Sequence, residues 1–205
     1  MGKNIINELI PYSDNIKKLI SCDEASKLIF KITLKNLKIE SDKDVFLNTL
    51  EEYYKETHSP NSEKMQTGRV WFLVKNINDE NEVLQVGQAI DFDFDEKKGF
   101  FYELKSIVEE LYGNQSTKYW EYGNHLKEND SLCVYELIIS KYLEIFAPNN
   151  FKEIIYMMAR EYYAEASVAY FTQAKNWNFY NSGMDKRSLY QIHENIDSIE
   201  IDKQK

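Results

Sequence analysis

Glu165 is the residue of this sequence whose position most clearly suggests chemistry. A helix is predicted from Phe151 to Gln173, with one apolar stripe at helical spacing: Phe151, Ile154, Met158, Tyr162 and Ala169. Glu165 falls inside that stripe, within about 20° of Ile154 and of Met158. An inward carboxylate is costly unless it is paired, hydrogen-bonded or bound to a cation. Glu165 is therefore predicted to bind a hard cation such as Mg²⁺, or to lie at the stripe's edge, partly exposed or paired with a lysine.

Other chemistry-bearing residues give weaker patterns. The acidic run from Asp91 to Glu96 fits a divalent-metal site, a mimic of phosphate spacing, or a solvated loop over two phenylalanines, and we favour the loop. The three histidines and two cysteines show neither metal spacing nor a nucleophile with its base. Trp120 and its neighbouring tyrosines fit a base-stacking platform, but an aromatic packing surface explains them equally well.

The elements that would position Glu165 follow a regular order in the second part of the chain. Residues 70–74 and 83–87 read as two strands joined by a polar turn, which predicts a hairpin. A helix over 100–111 and a strand over 132–139 follow, before the helix that carries Glu165. This pattern predicts an α+β fold with a small three-stranded, mostly antiparallel sheet flanked by helices.

The first part of the chain reads as mainly helical. Residues 4–21 predict one or two short helices, and a helix follows Ser41 and ends near Thr57. Residues 28–34 alternate as a strand would, although a helix running from Asp23 also fits. The turn-rich stretch after Thr57 marks the boundary. The predicted divisions are an N-terminal extension, an α+β domain and a charged C-terminal tail: 1–66, 67–185 and 186–205.

The order of these elements resembles the GIY-YIG nuclease domain over roughly residues 68–183. Val70-Trp71-Phe72 stands where the family writes Gly-Ile-Tyr, and Gln85-Val86-Gly87 stands where it writes Tyr-Ile-Gly. Glu165 matches the family's metal-binding glutamate, and Asn178 matches an asparagine that often follows the last helix. The resemblance implies hydrolysis of phosphodiester bonds in nucleic acid with one divalent metal, here Mg²⁺.

Several family positions are occupied by other residue types. In that family the first tyrosine helps to activate a water, and an arginine on the first helix stabilises the charge of the phosphate. Here Phe72 has no hydroxyl, Gln85 is not a phenol, and residues 87–113 contain no arginine. Lys97, Lys98 or Lys105 would then supply the positive charge, as a point charge and not a planar fork. The residues predicted to carry catalysis are Gln85, Lys97, Lys98 and Glu165.

Composition narrows the function classes. Hydrophobic residues make up 43% of the chain and charged residues 29%, which excludes a wholly disordered protein. The formal net charge of −9 disfavours a protein that coats nucleic acid by bulk charge. Lysines are concentrated between Lys17 and Lys38. We interpret that stretch as a solvated surface in preference to a phosphate-binding one. No apolar run approaches the roughly 20 residues of a membrane helix, and the first residues lack a signal core.

Two functions follow from the sequence. The first is a diverged, metal-dependent nuclease acting on nucleic acid. The second is a non-catalytic acidic binding module of the same fold, whose partner is a protein or a nucleic-acid-handling complex. For either function we expect a cytoplasmic location and no membrane partner, because no targeting or membrane segment is seen.

Overall fold

The fold is an α+β arrangement around one five-stranded sheet with the strand order β1-β4-β2-β3-β5. The computed structural model describes residues 12–57, 68–77, 80–90, 99–113, 115–146, 160–172 and 174–177. The strands are β1 (Ser26–Thr33), β2 (Gly68–Ile77), β3 (Glu80–Ile90), β4 (Ser131–Leu137) and β5 (Asn176–Trp177). The described helices are α1 (Tyr12–Ile20), α2 (Leu34–Leu37), α3 (Asp42–Thr57), α4 (Gly99–Leu111), α5 (Lys118–Asn124), α6 (Ile139–Ile145) and α7 (Arg160–Thr172).

Four strands pair antiparallel, and only the two-residue β5 runs parallel to its neighbour, β3. Strands β2 and β3 form the hairpin, with Phe72 opposite Val86 and Leu73 opposite Gln85. A register shift lies just beyond Leu73 in this pair, which is typical of a β-bulge. Strand β4 lies between β1 and β2, so the strand nearest the N-terminus forms one edge of the sheet.

Local sequence explains where several elements begin. The Thr33 side chain accepts from the Asn36 backbone N–H, and the Asn36 side chain accepts from the Thr33 N–H, so a capping box starts α2. Helix α4 begins at Gly99, whose φ of 83° lies in the left-handed region that favours glycine.

Each face of the sheet carries its own apolar core. Helices α3, α4 and α5 cover one face, where Trp71, Leu73 and Leu104 are buried. Helices α1, α6 and α7 cover the other face, where Phe72 and Val86 are buried. Alternation along β2 sends neighbouring residues to opposite faces, so its central run is apolar throughout, as expected of a strand covered on both sides.

The hairpin, the helix over Gly99–Leu111 and the strand over Ser131–Leu137 confirm the sequence predictions, with element ends that differ by at most three residues. The strand count was wrong: the sheet has five strands, not three. Residues 26–33 form β1, which confirms the strand predicted from alternation over 28–34, and the alternative helix running from Asp23 is wrong. The predicted boundary after residue 66 lies outside the described residues, and β1 and α3 pack in the same sheet and core as the strands beyond it.

Candidate functional site

Glu165 lies on the inward side of α7. Its side chain is 2% exposed, and its helix neighbours Ala164 and Val168 belong to the core that contains Phe72. The burial predicted from helical spacing is therefore confirmed, and the partly exposed alternative is wrong. Within the part of the chain that the structure describes, no three His, Cys, Asp or Glu side chains form a group that could hold a metal ion. The Mg²⁺ role of Glu165 stays a prediction.

The residues at the family's two tyrosine positions point to opposite faces of the sheet. Phe72 pairs with Val86 on the α7 side and stacks on Tyr135, with ring centroids 5.2 Å apart. Gln85 pairs with Leu73, whose side chain lies in the core under α4 and α5. Side chains directly opposite each other in an antiparallel pair share a face. The sheet therefore separates Gln85 from Glu165, and the two do not form one site.

A lysine that the sequence did not single out reaches Gln85. Lys118 Nζ donates a 2.9 Å hydrogen bond to Gln85 Oε1, and the same ammonium lies 4.7 Å from the centre of the Tyr119 ring. Thr117 caps α5 by accepting from the Trp120 N–H, which fixes Lys118 in the first turn of that helix. The predicted cations Lys97 and Lys98 lie outside the described residues.

A carboxylate completes this polar group under α4 and α5. The Trp71 indole Nε1 donates a 2.7 Å hydrogen bond to Glu103 Oε2. Burial raises the pKa of Glu103, while the Trp71 hydrogen bond and the Lys118 charge oppose that rise. Burial also lowers the pKa of Lys118, against the charges of Glu110 and Glu103. Shifted pKa values occur at catalytic sites and in structural networks alike, and here each group has a protein partner.

A second buried polar network joins β2, β4 and α3. Arg69 binds Glu136 in a bidentate pair, from Nε to Oε1 and from Nη2 to Oε2, each at 2.7 Å. Tyr53 donates to Glu136 Oε2 at 2.5 Å, and Arg69 Nη2 also donates to Thr57 Oγ1 at 2.7 Å. The Arg69 guanidinium lies 4.0 Å from the centre of the Phe100 ring. Burial, with the charge of Glu136, raises the pKa of Tyr53.

This network was missed by sequence reasoning, although its residue types carried a weak signal. Arg69 directly precedes the apolar run of β2, and Glu136 interrupts the apolar run of β4. Both are buried, with 7% and 8% exposure. A bidentate pair with every nearby oxygen hydrogen-bonded is an arrangement that a protein interior tolerates.

The predicted site residues that the structure describes are closed to solvent. Phe72 is 0% exposed, Gln85 is 1% exposed, and Glu165 is 2% exposed. The remaining described motif positions are also buried: Val70, Trp71, Val86 and Gly87. Asn178 and the acidic run over 91–96 lie outside the described residues.

A pocket opens elsewhere, between α1 and the turn end of the hairpin. Its volume is about 280 Å³, and residues from α1, α7 and both hairpin strands line it, among them Ile16, Glu80, Glu82 and Thr172. Lys175 forms an ion pair of 2.8 Å with Glu82. Phe72, Gln85 and Glu165 are not among the residues that line this pocket.

No protein-family model matches the chain, and neither the curated proteins nor the solved structures gave a match. Among the described helices, none is long and apolar enough to cross a membrane.

Proposed function

We propose that this chain is a non-catalytic binding module whose partner is a protein. One observation carries the proposal: the residues at the family's catalytic positions, Phe72, Gln85 and Glu165, are at most 2% exposed. A nuclease must bring a phosphodiester to its metal and its base, within hydrogen-bond reach of each. Side chains buried in the cores on two faces of a sheet do not offer that access.

The contacts of the same positions support a structural role for them. Phe72 stacks on Tyr135, which is a packing contact. Gln85 accepts from Lys118, so the nearest described cation is engaged by the protein itself. The net charge of −9 favours a protein partner over a polyanion, because a protein of that charge repels phosphates at long range.

A diverged nuclease is the second candidate, and the buried carboxylate of Glu165 favours it. An inward glutamate at this position matches the family's metal ligand, and carboxylate oxygens are ligands that Mg²⁺ prefers. In that function Glu165 would hold Mg²⁺ and Lys97 or Lys98 would contact phosphate, whereas Gln85, on the other face of the sheet, would take no part.

The deciding experiment compares the wild type with Glu165→Gln on supercoiled plasmid and single-stranded DNA, with Mg²⁺ or Mn²⁺. Glu52→Ala is the matched control, because Glu52 is an exposed helix glutamate. We expect no cleavage by any of the three proteins and a lower melting temperature for Glu165→Gln alone. Metal-dependent nicking by the wild type and by Glu52→Ala, lost in Glu165→Gln, would replace the binding-module proposal with the nuclease.

A further inference from the structure

Among the described strands, the eight-residue β1 forms one edge of the sheet. It pairs with β4 on one side, and no described strand lies on its other side. At about 3.3 Å per residue the strand is about 26 Å long. An edge strand presents a row of backbone N–H and C=O groups that another extended chain can pair with. Lys27, Leu28 and Lys31 are exposed along it.

The side chains along this edge are basic on both faces of the sheet. Lys27 Nζ lies 4.8 Å from the centre of the Tyr53 ring, which places it on the α3 side. Lys31 pairs with Cys133 on the opposite side. Lys35, in α2, is exposed just beyond the end of the strand.

Within the described residues these lysines lack ion-pair partners, and Glu136, which lies opposite Lys27, is bound to Arg69 instead. None of Lys27, Lys31 and Lys35 forms an ion pair with any residue in the ranges the structure describes. Asp23 and Glu24 are exposed before the strand begins and lie outside its paired residues. In a chain of net charge −9, the paired part of β1 is therefore a local basic edge.

An apolar contact point lies between the two strand lysines. Leu28 is 46% exposed, and it is one of the few large apolar side chains with such exposure among the described residues. It lies opposite Tyr135 of β4 on the α7 side, next to the register shift between Leu28 and Phe30. A β-bulge of this kind twists an edge but leaves the rest of the strand able to pair.

We propose that β1 is the docking edge for an extended acidic segment of another protein, which joins the sheet as a further strand. Backbone hydrogen bonds would give affinity, and carboxylates beside Lys27 and Lys31 with an apolar side chain against Leu28 would give selectivity. A second copy of the chain fits poorly, because two β1 strands paired about a two-fold axis bring like charges together. This inference rests on the proposed function, since it names the surface and the partner chemistry of the same binding module.

The test is a titration of the isotope-labelled full chain with a capped octapeptide that repeats Glu-Glu-Val-Val, followed by backbone amide NMR. As a strand, this peptide carries carboxylates and valines on both faces, as contact with Lys27, Leu28 and Lys31 requires. A peptide of the same length with lysine for glutamate controls for charge. The acidic peptide with alternate amides N-methylated controls for strand pairing, because it keeps the carboxylates and loses hydrogen-bond donors. We expect amide shifts confined to β1 and its neighbours with the acidic peptide only, and slower hydrogen exchange in β1.

Two variants locate the contact. Lys31→Glu should lower the affinity for the acidic peptide by about tenfold, because one attractive exposed charge pair becomes a repulsive pair of similar energy. Lys18→Glu makes the same charge change at an exposed position of α1 and should leave the affinity unchanged within about twofold. Both positions are exposed, so neither variant is expected to unfold the protein.

Three results would overturn this inference. They are no binding at millimolar peptide, equal binding of the N-methylated peptide, or binding of an oligothymidylate at β1 in place of the peptide. Each result leaves the plasmid assay of the proposed function unchanged. Conversely, cleavage of plasmid would overturn the binding module while the peptide titration still reported on β1.

Discussion

Replacing Glu136 by alanine removes the carboxylate that holds Arg69 inside the protein. Glu136 accepts two hydrogen bonds from Arg69 at 2.7 Å and one from Tyr53 at 2.5 Å. The side chains of the ion pair are only 8% and 11% exposed, so water does not replace the lost oxygens. Breaking a buried pair costs about 3–5 kcal/mol, out of a total unfolding free energy of about 5–15 kcal/mol. At about 2–4 °C per kcal/mol, the melting temperature should fall by about 6–20 °C.

Urea denaturation followed by circular dichroism measures this free energy directly. Glu51→Ala is the matched control, because Glu51 pairs with Lys55 at the surface and should change stability by less than about 1 kcal/mol. The double variant Arg69→Met with Glu136→Leu should recover most of the loss, since no charge is then left buried without its partner. A loss below about 1 kcal/mol for Glu136→Ala would refute the reasoning, because Arg69 would then be well solvated without its carboxylate.

Three further outcomes follow from buried polar groups and from the core. Burial raises the pKa of five tyrosines above the ordinary value of 10.0: Tyr53, Tyr112, Tyr119, Tyr135 and Tyr142. The folded protein therefore keeps phenol protons that the unfolded chain loses, so the unfolding free energy is at its full value below pH 10 and falls above it. Absorbance at 295 nm measures ionisation of the tyrosines, and urea melts at pH 9 and 11 measure the unfolding free energy. Equal stability at the two pH values would contradict the reasoning. Trp71→Phe removes the hydrogen bond to Glu103 and should lower the unfolding free energy in urea melts by about 1–3 kcal/mol. A decrease below about 0.5 kcal/mol would mean that water replaces the indole N–H as the partner of Glu103. Leu104→Ala, in the core, should lower the unfolding free energy by about 2–5 kcal/mol in the same assay. Val45 is 58% exposed, so Val45→Ala should lower it little, and similar losses for the two variants would contradict the assigned burial.

The parts of the fold that local sequence determines were predictable. The hairpin and α3 depend on short apolar runs, turn residues and a helix-starting polar cluster that lie within a few residues of each other. Helix α3 ends at Thr57, as its apolar spacing predicts. The inward burial of Glu165 also follows from the helical period alone.

The strand order and the polar networks were not predictable, because they depend on contacts between distant residues. Alternation in residues 26–33 indicates a strand but cannot say that it pairs with β4. Lys118 and Gln85 are 33 positions apart, and the path of α5 decides whether they meet. The register shift in the hairpin also decides which side chains share a face, and no residue pattern near Leu73 predicts that shift.

Because β4 lies between β1 and β2, β1 cannot pair within the sheet until β4 has been synthesised. Strand β1 leaves the ribosome roughly a hundred residues before the strand it pairs with. At about 5–20 residues per second, β1 waits about 5–20 s for β4, whereas β2 and β3 can close their hairpin as soon as both have emerged. During that interval both edges of β1 are unpaired on a nascent chain. Lys27 and Lys31 then have a second use, because charges along an unpaired strand discourage it from joining a neighbouring chain before its own partner has been made.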